Sequence, residues 1–186
     1  MTTLPAGYRA VKKIDLVRNR KEAIIVNVLA LTIMIPMIAL GFIIGPPVLE
    51  YTFDAVSLLL IFVLIVSIVF YMILHELVHG AFMQAFSGEK PKYGFTGLYA
   101  YAGSAALFDR KQYLIIAFAP VVLLGIALAV LNIAFYETAF WIVYIIQVVN
   151  ISGAAGDFYV GLQIGRSSGP VLIRDTGTDM TLFAEN

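Results

Sequence analysis

The chain holds two histidines in 186 residues, and they stand four apart in His75-Glu76-Leu77-Val78-His79. On a helix, positions i and i+4 share one face, so both imidazoles can reach a single ion. Glu76 lies on the adjoining face, where it can serve as a general base toward water held by that ion. The pattern reads as a zinc centre with two ligands from one helix and a third from elsewhere. The chain has no cysteine, so disulfides and thiolate sites are excluded. Zn2+ would have to rely on imidazole, carboxylate and water.

Hydrophobic residues make up 61% of the chain and charged ones 13%, with a mean hydropathy of +0.92. Soluble domains carry about 45–50% apolar and about 25% charged residues, so the expected class is an integral membrane protein. A net charge of zero gives no reason to expect a nucleic-acid partner. Four runs meet the requirement of about 20 apolar residues for a span. They cover roughly 23–44, 55–86, 113–136 and 139–164, and the histidines lie toward the inner end of the second. The first run exceeds a signal-peptide core of about 7–15 residues and is expected to remain as a span.

The expected fold is an all-α membrane protein, a four-transmembrane-helix bundle with a small β-hairpin or extended loop between helices 2 and 3. Residues 1–22 form an N-terminal segment, 23–165 the membrane domain and 166–186 a tail expected to be poorly ordered or surface-bound. Four spans place all twelve Lys and Arg on one side, and Glu50, Asp54 and Glu137 on the other. By the positive-inside rule both termini are then cytoplasmic. In the loop after the second span, Tyr93, Phe95, Tyr99 and Tyr101 alternate with smaller residues, a β-type period. That loop reads either as an aromatic anchor at headgroup level or as an edge strand for an extended substrate segment.

Depth selects the third ligand. Span two and span four run in the same direction. His75 follows Ala55 by about 30 Å and Asp157 follows Ala139 by about 27 Å, at about 1.5 Å per helical residue. A carboxylate at that depth needs a partner, which an ion would supply. Gly153-Ala154-Ala155-Gly156 lets the helix unwind just before Asp157 or lets backbones approach closely. Asn150 is a candidate for a substrate or oxyanion contact, with an interhelical hydrogen bond as the competing role. Phe70, Tyr71 and Phe82 read as packing, and Pro120 as a bend.

These residues resemble the intramembrane zinc metalloproteases of the site-2 protease type. Those carry HExxH on one transmembrane helix and an Asp ligand two helices later, near the cytosolic side. Here His75-Glu76-Leu77-Val78-His79 and Asp157 occupy those places. More closely, the chain resembles a zincin-peptidase family of small bacterial and archaeal membrane proteins. These share an HE-L-x-HG motif, a hairpin-like loop, an Ala-Pro in the third span and a Gly-Asp in the fourth. This chain has His79-Gly80, Ala119-Pro120 and Gly156-Asp157. The resemblance implies a multi-pass protein of a prokaryotic cell membrane that hydrolyses peptide bonds of membrane-associated substrates near the cytoplasmic side. Its partners would be a membrane-protein or peptide substrate and the lipid bilayer. The rival reading is a non-proteolytic metal-binding adaptor or transport component. The polar-poor outer halves of the spans and the presence of Glu76 disfavour it.

Overall fold

The computed structural model describes residues 2–16, 18–47, 54–97 and 99–185. It is mostly helical, with four long apolar helical segments and a few small strands. The elements in chain order are β1 (Tyr8–Ile14), α1 (Arg20–Ile44), α2 (Ala55–Ser87), β2 (Lys92–Phe95), β3 (Ala100–Gly103), β4 (Phe108–Asp109), α3 (Arg110–Ala134), α4 (Tyr136–Gly153), α5 (Ala155–Gly165), β5 (Val171–Asp175) and β6 (Met180–Glu185). The helices α1, α2, α3 and the joined α4–α5 are each long and apolar enough to cross a membrane.

Local chemistry sets the helix ends. Asn19 caps α1 by accepting from the N–H groups of Lys21 and Glu22, and Asp54 caps α2 by accepting from Ser57. Such caps satisfy N–H groups that have no partner within the helix. Asp109 and Gln112 form a reciprocal capping box at the start of α3. Gly88, with φ +73°, ends α2 in the left-handed conformation that glycine adopts without a Cβ penalty. The fourth apolar segment breaks at Ala154, within the expected Gly-Ala-Ala-Gly stretch.

The expected hairpin between the second and third long helices is present. β2 and β3 pair antiparallel, with Gly94 opposite Tyr101. A second sheet departs from the expectation of a helical bundle whose one β feature is that hairpin, with a tail poorly ordered or surface-bound. Its order is β1-β6-β5-β4, with antiparallel pairing throughout. Val171 and Ile173 on β5, and Met180 and Leu182 on β6, alternate inward and are buried. That alternation orders the tail, because a half-buried strand needs one apolar face. Ile14 of β1 and Phe108 of β4 join the same core. The sheet rests on Met83, Tyr113, Ile116, Tyr159, Val160 and Ile164 of α2, α3 and α5. It therefore covers the end of the bundle where α2 and α5 finish and α1 and α3 begin.

At the far end aromatic residues hold α1 to α4. The Phe140 and Tyr144 rings stack 5.2 Å apart, and a Cβ at Gly41 or Gly45 would strike them. Tyr136, Trp141 and Tyr144 donate to the carbonyls of Ile44, Pro46 and Met37. Amphipathic aromatics of this kind favour a membrane–water boundary. Glu50, expected near this end, lies outside the described residues.

Candidate metal centre

His75 and His79 sit one turn apart on α2 and point the same way, with ring centroids 4.8 Å apart. Asp157 reaches them from the first turn of α5. Its Oδ2 lies 3.4 Å from Nε2 of His75, and its Oδ1 lies 3.5 Å from Nε2 of His79. The two Nε2 atoms are 3.1 Å apart. The break at Ala154 matters here. It makes Asp157 an early residue of a new helix, where partly unpaired N–H groups favour negative charge.

Hydrogen bonds fix where the imidazole protons are. Nδ1 of His79 is 2.9 Å from the Ile116 carbonyl, which can only accept. Nδ1 therefore carries a proton, and in the neutral ring Nε2 presents a lone pair. The assignment at His75 runs through three residues. The Asn150 Nδ2 donates to the Val121 carbonyl at 3.2 Å, which turns its Oδ1 toward Tyr71. The Tyr71 hydroxyl donates to that oxygen at 2.8 Å. Its own oxygen is thus left to accept from Nδ1–H of His75 at 2.9 Å. Nε2 of His75 also presents a lone pair.

With both rings neutral, two imidazole lone pairs and a carboxylate thus converge. Acceptors at these separations repel unless a cation, a proton or a metal ion, lies between. A tetrahedral ion about 2.0–2.1 Å from each donor sets the donors about 3.3–3.4 Å apart. The observed 3.1, 3.4 and 3.5 Å fit that spacing. His75, His79 and Asp157 can therefore hold a metal ion, with a fourth position open.

Around the donors lies a cavity of about 740 Å³. Glu76 lines it beside the histidines and lies against the backbone of Ala102 on β3. The opposite wall comes from β3 and the turn between β5 and β6, including Tyr101, Asp175 and Gly177. The hairpin is seated by glycines. A Cβ at Gly80 would collide with the Tyr93 hydroxyl, and one at Gly177 with the Tyr101 ring. Asp175 accepts from the Tyr113 hydroxyl and the Gly177 N–H, while burial pushes its carboxyl above the usual range.

Other candidate groups lie elsewhere. Asn150 is fully buried, and both ends of its amide bond to protein. Asn150 therefore makes the interhelical hydrogen bond that stood as its competing role. Asp109 caps α3, and Glu89 and Glu137 are exposed. Glu22 is buried and accepts from the Asp15 N–H and the Tyr159 hydroxyl. Tyr71, read as packing from sequence, instead orients His75. Its one sequence signal was its position four residues before that histidine.

The fold and site define a mostly helical protein with four helices suited to a bilayer and a partly buried group able to hold a metal ion. The family model described as "Putative zincin peptidase" matches residues 68–168, just over half of the chain. The chain belongs to that family. The matched segment contains His75, Glu76, His79 and Asp157, and α3 with its partners Tyr71 and Asn150. No curated protein and no solved structure matches the chain.

Proposed function

We propose that this protein is an intramembrane zinc metallopeptidase that hydrolyses peptide bonds of membrane-associated substrates. One observation carries the reading. Three donors at the spacing of a metal site converge in a cavity that also holds the carboxylate of Glu76. A zinc ion bound there would make water a nucleophile near neutral pH and polarise the scissile carbonyl. His75, His79 and Asp157 are the ligands. Glu76 takes the proton of the attacking water and passes it to the leaving nitrogen.

The four long helices cross the bilayer with the sheet on the cytoplasmic side. The basic residues favour this orientation, since the stretch from β1 through the start of α1, the start of α3, and the segments after α2 and α5 carry all twelve. The metal centre then lies near the cytoplasmic surface. A substrate must be unwound to be cut, because helical carbonyls are bonded and shielded. Among the described residues β2 pairs only with β3, which leaves its outer edge for an extended segment.

The test is Glu76→Gln in protein reconstituted in liposomes with a labelled single-span substrate. The variant should bind one zinc per chain and cleave nothing. Cleavage at the wild-type rate would refute the assignment.

A further inference from the structure

Helix α3 donates no ligand, yet it touches the metal centre through a single carbonyl. In an α-helix the carbonyl of residue i−4 bonds the N–H of residue i. Position 120 is proline, which has no N–H, so Pro120 cannot bond the Ile116 carbonyl. At this depth there is little water, and a released carbonyl needs a donor from the protein. Ile116 is 1% exposed. The donor is Nδ1–H of His79, at 2.9 Å.

We infer that Pro120 is a positioning residue for His79: by removing one N–H from α3 it commits the Ile116 carbonyl to Nδ1–H, which turns Nε2 of His79 toward His75 and Asp157 and makes it the lone-pair atom of the neutral ring. The missing donor, not the proline ring, is the cause. With alanine at this position the helix would reclaim the carbonyl. The imidazole would lose its fixed tautomer, and a proton on Nε2 would block the ligand atom. Partners of this kind orient metal-bound histidines and change affinity by about 10–100-fold when removed. His75 depends on a separate relay through Tyr71 and Asn150, so it is an internal control.

The significance for zinc rests on the metal-centre reading, but the tautomer does not, and the two are measured separately. With only two histidines, protein grown on 15N-histidine gives two assignable imidazoles. In metal-free wild type, at a pH where both imidazoles are neutral, each should show a protonated Nδ1 and a bare Nε2. Pro120→Ala should convert His79 to a mixture with Nε2–H and leave His75 unchanged. Zinc affinity, read by chelator competition, should fall about 10–100-fold. A second variant separates the N–H from the ring. Lactic acid installed at position 120 gives an ester with neither N–H nor ring, and should keep the wild-type tautomer. A shifted His79 in the ester variant overturns the inference, as does an unshifted one in Pro120→Ala. Equal shifts of both histidines would mark general disruption and also overturn it. Wild-type protein with the stated tautomers but no zinc affinity would leave the inference standing and end the peptidase reading.

Discussion

Replacing Asp157 with asparagine tests the geometry most directly, because the change is isosteric and removes only charge. The carboxylate meets one imidazole with each oxygen, at 3.4 and 3.5 Å. In the metal-free wild type the half-buried carboxylate is the ion-pair partner of a protonated imidazole. An asparagine keeps the shape but leaves that cation without its charge partner. Metal-free Asp157→Asn should therefore unfold at or below the wild-type temperature. With zinc the gap should widen. At a zinc concentration of 100 Kd, binding stabilises the wild type by about 2.7 kcal/mol. A chain of this size gains about 2–4 °C per kcal/mol, so zinc should raise Tm by about 5–11 °C. Loss of a direct ligand should cost at least the upper end of the about 10–100-fold seen for outer partners. The same zinc then stands near one Kd, which is worth about 0.4 kcal/mol and about 1 °C. Thermal unfolding in detergent, with and without zinc, reads both quantities. A full zinc-induced shift in the variant would place the third donor elsewhere and refute the assignment.

Gly80→Ala should drive the Tyr93 hydroxyl off α2 and destabilise the fold by about 1–3 kcal/mol, the usual range for overpacking. Thermal unfolding should show the loss, while zinc content stays at one per chain. Asp175 provides a pH test. Its carboxyl is raised by burial, so its contribution to stability is complete below the unfolded value of about 3.9 and fades as pH rises through the folded value. Over that window Asp175→Asn should flatten the pH profile of Tm, and the wild type should lose ground to the variant as pH increases. A difference that grew in the opposite direction would reverse the sign assigned to burial.

Much of the fold was legible because membrane-suited helices obey length and composition. The second apolar run, expected over about 55–86, is α2 at Ala55–Ser87. The alternating tyrosines announced the β2–β3 hairpin. The convergence of His75, His79 and Asp157 could be read from residue rarity and depth, since few ionisable groups sit within the spans. The terminal sheet was missed for a physical reason. Its strands have two to seven residues and lie among charged and turn-forming neighbours. Val171, Ile173, Met180 and Leu182 carry the period, but each strand acquires a buried face only when its partners from distant parts of the chain assemble. The roles of Tyr71 and Asn150 were hidden similarly, because a hydroxyl and an amide find partners only once α2, α3 and α4 pack.

Irregular backbone nevertheless gave a usable pointer to the site. A helix in hydrocarbon can drop a backbone hydrogen bond only where protein or a wet cavity makes good the loss. The chain departs from regular helix at Ala154, and Asp157 lies just beyond. It forfeits an N–H at Pro120, and the carbonyl left over is the one that holds His79. Gly125 acts alongside: a Cβ there would press on Nδ2 of Asn150 at 3.0 Å, just where that amide reaches the Val121 carbonyl. Pro36 of α1 shows the limit of the rule, because it lines no part of the cavity. A proline marks a site only when a buried donor stands opposite the carbonyl it releases. Here that donor is a histidine, one of only two, on the neighbouring helix. In this protein the interruptions of α3 and of the fourth apolar segment therefore both border the metal centre: the carbonyl freed at Pro120 holds His79, and the break at Ala154 places Asp157 in the first turn of a new helix.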